Sequence, residues 1–379
     1  MNFPVHYYDS GMAGAPVLAG QPGSLLALLL GCLVDGFGLR SVDSLTQTGG
    51  LAVATISTGH GLRPGDVFAI AGASPTGWVG EWRALRTPTP ATVEFAVPLD
   101  LNLPTATGAI TMRRPGAGWE RQFTAPNKAV FRSLAGNRRP LRVDDSDAQF
   151  ARVRTYLSMA DIDTGEGACP PLAIRPTGLT WRKSSTRDAT PRSWALIADD
   201  RTLYLVIDAA GDLSAGWYAF GDLAALGGAA DAYGTVVTGQ EHDSPSSADI
   251  GFARDQLTAA DETGRWLISR AGGMGGPARF TVQGHRATDR LCGQGTVPYP
   301  CPQGDRNAVV LHPVLIFESG SQVVRGMLPG ALQSLHAAQV IMPYERTSGP
   351  SGREYRWLPM RSAPLPWGTA PHDATGPWR

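Results

Sequence analysis

The chain has 379 residues, 42% of them hydrophobic and 17% charged, and its 33 Lys and Arg balance 33 Asp and Glu. That length allows two domains, or one large domain carrying an insertion. Zero net charge argues against the long-range field of a free nucleic-acid or acidic-membrane binder. The 46 glycines and 30 prolines are dispersed turn formers, so the composition points away from an all-helical fold and toward many short strands.

The first predicted element is a helix over residues 24–35. Ser24 can cap it, six leucines between Leu25 and Leu33 make it apolar all round, and Gly36 and Gly38 end it. Such a helix must be enclosed, by the rest of the fold or by a neighbouring subunit. Leu29-Leu30-Gly31-Cys32 resembles a lipoprotein cleavage box, but the first 39 residues contain no Lys or Arg, so the positive region of a signal peptide is missing. The apolar run Leu25 to Val34 is also far short of the ~20 residues needed to span a bilayer. A buried helix is expected.

From Leu51 to Arg113 the pattern changes to short strands: Leu51–Ile56, Asp66–Ile70, Glu81–Leu85, Thr92–Val97 and Gly108–Met112, with turn residues between them. Five strands in this length predict a small barrel or sandwich module inserted at 50–113. A second β region starts near Gly118-Trp119. Arg139–Asp144 and Gln149–Leu157 read as a hairpin about Asp145-Ser146-Asp147, with arginines on its second strand. Ser193–Ala198 and Thr202–Ile207 read as a hairpin turning at Asp199-Asp200. Their near-continuous apolar runs imply strands covered on both faces, and Val309–Phe317 is another such run. Short helices are predicted at Asp222–Leu226 and Ala248–Leu257. After Pro343 the chain is dense in Pro, Gly, Arg and Trp without periodicity, which predicts an extended tail at 343–379. The predicted fold is thus mainly β. It consists of a β-sandwich-like core domain from 1–48 and 114–342, a short buried N-terminal helix, the inserted small β-barrel or sandwich module, and the tail.

Lys128 and Lys183 are the only lysines. Arginine suits protein interfaces because it pairs bidentately and is weakly hydrated, although base composition of the gene gives the same bias. Cys32, Cys169, Cys292 and Cys301 contain no C-x-x-C pair, so no zinc site is expected. Cys292 and Cys301 bracket a Gly/Pro-rich loop and could close a disulfide; reduced thiols are the expectation for a protein assembled in a cytoplasm.

The chemical motifs are weak. No two of the seven histidines are spaced i, i+4, and His60 sits in a Gly-flanked turn. His242-Asp243-Ser244 names three triad residue types, but sequence neighbours cannot form a relay, and no G-x-S-x-G elbow occurs. Gly272–Gly276 lacks a following Lys-Ser/Thr, so it reads as a loop tip rather than a phosphate cradle. Asp161-Ile-Asp163-Thr-Gly165 opens like a calcium loop, but position twelve would be Leu172, which cannot coordinate. Asp144, Asp145, Asp199 and Asp200 could supply a carboxylate pair for glycoside hydrolysis, which needs two carboxyls roughly 5–10 Å apart across a cleft; acids at hairpin turns are the ordinary reading. Trp78, Trp82, Trp357 and Trp367 are candidate sugar-stacking platforms, against the commoner use of tryptophan in cores and interfaces. No catalytic residue, cofactor or metal site is predicted.

Three segments, present together and in order, resemble an uncharacterised family of virion structural proteins encoded among the structural genes of tailed phages and prophages. The first is Tyr8-Asp-Ser-Gly-Met-Ala-Gly-Ala-Pro-Val17 with the leucine-rich helix and Leu33-Val-Asp-Gly-Phe-Gly38. The second is Leu141-Arg-Val-Asp-Asp145 with Ala151-Arg-Val-Arg154 and Asp161-Ile-Asp-Thr-Gly165. The third is Arg325-Gly-Met-Leu-Pro-Gly330 with Asp373-Ala-Thr-Gly-Pro-Trp-Arg379. The stretch from Ala54 through Gly61, Asp66 and Phe95 is similar to a small β module of phage tail and fibre proteins. The resemblance implies a non-enzymatic component of the virion, assembled in the host cytoplasm, most naturally in the tail or baseplate. Its partners would be copies of itself and neighbouring tail or baseplate proteins, with no specific nucleic acid and no membrane insertion. A head–tail or capsid-surface protein is the alternative within the particle. A carbohydrate-binding receptor module or a glycan depolymerase, meeting a host surface glycan, is the alternative of another class. Arg142, Arg152 and Arg154 on the hairpin, and Trp357, Trp367 and Trp378 in the tail, are the expected interaction residues.

Overall fold

The computed structural model describes residues 3–240 except 102, 212–214 and 228–230, together with 265–268, 276–280, 311–318, 323–334, 344–349, 352–360 and 368–379. The fold is mainly β, with one short helix. The predicted helix 24–35 lies within the described residues, while the Cys292/Cys301 loop, His242, the Ala248–Leu257 helix, Gly272–Gly275 and Trp367 lie outside them.

The largest sheet has twelve strands among the described residues. In spatial order they are His6–Asp9, Ser193–Ala198, Thr202–Asp208, Gly216–Asp222, Thr235–Thr238, Arg265–Leu267, Gly276–Phe280, Leu311–Glu318, Val324–Ser334, Gly368–Asp373, Glu354–Met360 and Arg346–Ser348. A five-stranded sheet runs Leu179–Arg182, Phe150–Thr155, Pro140–Asp144, Lys128–Ser133, Trp119–Ala125. Both predicted hairpins form, with Val143 opposite Val153 in one and Leu196 opposite Leu205 in the other.

The apolar runs of Thr202–Asp208 and Gly216–Asp222 are buried at every position because these strands form a middle layer. Side chains alternate between the two faces of a strand. Tyr218 stacks on Trp181 of the five-stranded sheet, with ring centroids 5.4 Å apart, and Phe220 meets Trp119 at 5.8 Å. On the opposite face Trp217 and Tyr204 stack at 5.4 Å, and Tyr204 packs against His372 and Trp378 of the C-terminal segment. The twelve-stranded sheet therefore folds back over its own early strands, and a single hydrophobic cluster runs through all three layers.

The last segment is accordingly no extended tail. Glu354–Met360 and Gly368–Asp373 pair along six residues, and Trp378 is buried with its indole N–H on the Asp373 carbonyl at 2.8 Å. Proline-rich strands escape period-two reading, yet Pro359 and Pro371 sit here in a ladder near the sheet's end. Gly330 takes φ +70°, and a Cβ there would meet the Trp378 ring at 2.2 Å, so only glycine admits the tryptophan.

The predicted helix forms as α-helix over Ser24–Leu29 and continues as a π-helix over Leu30–Asp35. It is enclosed by its own chain: Leu25, Leu28, Leu29, Cys32 and Leu33 are fully buried in the common cluster. Ser24 is not its cap. The Ser24 hydroxyl donates to the Ala19 carbonyl at 2.7 Å, and the helix start is capped from 120 residues away by Asp145. Gly36 ends the helix at φ +72°, where a Cβ would lie 2.2 Å from the Arg114 carbonyl. The predicted helix at Asp222–Leu226 is absent: Asp222 ends a strand opposite Thr235, and Ala224 bridges Met327. The Asp222 carboxylate accepts from the Asn137 amide and the Thr235 hydroxyl, both at 2.7 Å.

The inserted module has its own core around Phe68, Trp78, Trp82 and Phe95. Its sheet has seven strands, adding Phe37–Ser41 and Ser44–Thr48 to the five predicted, so it takes in residues before 50. These two consecutive strands lie at opposite ends of the sheet order. The Val42 and Asp43 amides bond Ile110 and Thr55 at 2.9 and 2.8 Å, and Ala106 donates to Leu45 at 2.9 Å. The sheet is thereby drawn toward barrel closure and its edges are covered.

Arginines fasten the module to the core. Arg114 and Asp66 pair at 2.9 Å, both buried, and the same guanidinium donates to the Gly61 and Ala13 carbonyls. Arg63 bridges Asp9 and the Gly11 carbonyl, and Arg346 reaches the Pro64 carbonyl at 2.6 Å. Truncating one partner of a buried pair strands the other charge. Arg114→Met is expected to lower stability by about 3–5 kcal/mol in chemical denaturation. Arg86→Ala removes an ion pair to Glu94 whose arginine is mostly exposed and is expected to change stability by under about 1 kcal/mol.

Candidate functional site

The hairpin arginines are engaged inside the chain. Arg142 donates to the Ile162 carbonyl at 2.9 Å and to Asp163 at 2.5 Å, and Arg152 donates to the Thr180 hydroxyl at 2.5 Å. Arg154 is buried and holds the Arg175 carbonyl. The loop read as calcium-like is a turn closed by its own acids. Asp161 accepts the Asp163 and Thr164 amides at 2.8 Å, while Asp163 is held below the usual carboxylate range, chiefly by its hydrogen bond from Arg142. Among the described residues no three His, Cys, Asp or Glu side chains gather as a metal ion requires.

The candidate tryptophans among the described residues are also internal. Trp78 and Trp82 are buried in the module core, their indoles donating to the Pro104 and Trp78 carbonyls. Trp357 is buried with its indole on the Thr347 hydroxyl at 2.8 Å. None of these three, nor Trp378, offers a ring face to solvent as a sugar platform would.

A cleft of about 370 Å³ opens where module and core meet, lined among others by His6, Glu81, Asp199, Asp200, Arg201 and Arg379. Two of its carboxylates, Glu81 and Asp199, are tied down. Glu81 takes the Phe3 amide at 2.7 Å and lies 3.1 Å from His6. Asp199 takes the Arg201 and Thr202 amides at 2.8 and 2.6 Å and the Arg379 guanidinium at 2.5 Å. Burial pushes Asp199 up, with the Arg379 charge opposing. Asp200 is more than half exposed beside Arg201. The arrangement locks the hairpin turn, the N-terminal strand and Arg379 together. His60, expected in a turn role, fills one: its Nδ1 accepts the Leu62 amide and its Nε2 lies 2.9 Å from the Thr89 carbonyl.

A second buried ion pair joins Asp145, read from the sequence only as a turn carboxylate, to Lys183, whose partner the sequence did not show. Asp145 and Lys183 are fully buried and in direct contact. Asp145 Oδ2 accepts the Leu25 and Leu26 amides at 2.8 and 3.3 Å, and Lys183 Nζ donates to the Gln21 carbonyl at 2.6 Å. Burial pushes the Asp145 carboxyl up to about 6, with Lys183 and the two amides opposing, and burial also lowers the Lys183 ammonium. The one visible signal was that Lys183 is one of two lysines among arginines.

His372, fully buried, receives the Trp217 indole N–H at 3.2 Å and has Nδ1 3.0 Å from the Ala370 carbonyl. These partners fix a neutral imidazole with its proton on Nδ1, and desolvation holds its pKa at about 4.

No protein-family model matches the chain, and no curated protein matches it.

The histidine carries a pH dependence. An unfolded histidine titrates near the ordinary value of 6.5, above the folded value of about 4. Between the two, the unfolded state binds more protons, so stability falls as pH drops through that window. From pH 7 to 4.5 the wild type is expected to lose about 2–3 kcal/mol more stability than His372→Gln, measured by urea denaturation at both pH values.

Proposed function

We propose that the chain is a structural component of a tailed-phage virion, in the tail or baseplate. It assembles in the host cytoplasm through contacts with its own copies and adjoining proteins, and contributes shape rather than catalysis. The observation that carries this reading is how the three segments behind the phage resemblance meet. In the first, the Tyr8 hydroxyl holds the Pro115 carbonyl at 2.7 Å, where the chain returns from the module. Asp145 of the second caps the helix that follows the first. In the third, Gly330 faces Trp378, and the Pro329 carbonyl receives the Tyr204 hydroxyl at 2.9 Å. Residues that hold elements together in this way define an architecture; Trp378, the one that borders the cleft, is buried with its indole on the Asp373 carbonyl.

Zero net charge and a charged fraction of only 17% support the same reading, since a neutral chain of this kind tends to associate. A stable interface buries roughly 1,200–2,000 Å², which must come from surfaces other than the internal arginines and tryptophans above. The glycan-binding alternative loses its support at Trp78, Trp82 and Trp357, which are buried.

Purified particles of the encoding phage or prophage are expected to contain this chain at a fixed, symmetric copy number, read by quantitative mass spectrometry and a symmetry-resolved map. Absence from particles, together with a strictly monomeric chain in light scattering, would contradict the proposal.

A further inference from the structure

The Asp145–Lys183 centre holds more than a pair of charges needs. The two residues lie 38 apart in sequence, with side chains wholly out of solvent. Asp145 comes from the turn of the Pro140–Asp144/Phe150–Thr155 hairpin, and Lys183 directly follows the strand Leu179–Arg182. One carboxyl oxygen touches the amine. The other is held by two backbone N–H groups, from Leu25 and Leu26. That second oxygen is therefore placed as an oxyanion is placed during acyl transfer, in a water-excluded site where such donors act strongly.

We propose that Lys183 and Asp145 condense in the folded protein to an intramolecular isopeptide bond, cross-linking the hairpin turn to the chain beyond the outer strand.

The step balances without a co-reactant. A proton passes from the ammonium to Oδ1 across their contact, giving a neutral amine and a neutral acid. Burial favours both neutral forms, raising the carboxyl to about 6 and lowering the ammonium. The Nζ lone pair attacks Cγ, and the negative charge that develops on Oδ2 rests on the Leu25 and Leu26 amides. The Cγ–Oδ1 bond then breaks, Oδ1 leaves as water with its own proton and one from nitrogen, and the C–Oδ2 double bond reforms. The product amide has one N–H and one carbonyl oxygen. The Gln21 carbonyl already stands 2.6 Å from Nζ, and the two helix amides already donate to Oδ2, so both groups of the product are partnered. Condensation also removes two buried charges, whose desolvation a simple ion pair must carry.

This inference stands apart from the virion reading and needs only the folded chain. Intact-mass measurement of the denatured full chain is expected to give the sequence mass less one water. Trypsin should fail to cut after Lys183, and a single branched peptide should contain both residues. Lys183→Arg keeps the positive charge but lacks the amine, and should appear at its full sequence mass with linear peptides only. A wild-type mass equal to the sequence mass, with Lys183 cleaved normally, would overturn the proposal whether or not any variant folds.

Discussion

The buried carboxylate of Asp145 is the constraint on which the arrangement of the core depends. An apolar helix must leave solvent, but its first amides cannot be buried without acceptors. Here the N-cap is Gly23, which has no side chain to offer, and the Ser24 hydroxyl is turned to Ala19. Asp145 supplies the missing acceptor through the oxygen that faces Leu25 and Leu26, and Lys183 partners its other side. Helix, hairpin turn and the end of the outer strand are thereby fixed at one point. The five-stranded sheet then lies across the middle layer, with Trp181 on Tyr218.

Arginine has a second structural use that explains the composition without an external partner. Its forked donors close loops by holding main-chain carbonyls: Ala13 and Gly61 by Arg114, Leu157 and Ala232 by Arg139, Ile162 by Arg142, and Tyr233 by Arg325. A lysine offers a single point charge and cannot span two such acceptors as readily. In a fold this rich in irregular connections, buried carbonyls need donors. The arginines named above supply them.

Much of the fold was legible in the chain. Strands covered on both faces read as unbroken apolar runs, and the module's alternation of buried and half-buried positions, as in Leu51–Thr55 and Val67–Ala71, follows the pleat. What escaped was set by distant contacts. The helix cap lies 120 residues from the helix, and Asp222 resembles a cap but is held by Asn137 and Thr235. The C-terminal strands hide their period behind prolines. The arginines and tryptophans selected as interaction residues have chemistry that serves an interface and an interior equally well, and only the fold reveals which side they face. Arg154 and Trp357 face inward.

Amide hydrogen exchange at Leu25 and Leu26 tests the role of Asp145 most directly, comparing the wild type with the double variant Asp145→Ala/Lys183→Met, which removes the acceptor at residue 145 and the amine at residue 183 together. The account predicts that in the wild type these two amides open only with global unfolding. In the variant, protection should fall along Ser24–Asp35 while Thr202–Asp208 stays protected. Undiminished protection at Leu25 and Leu26 in the variant would contradict it.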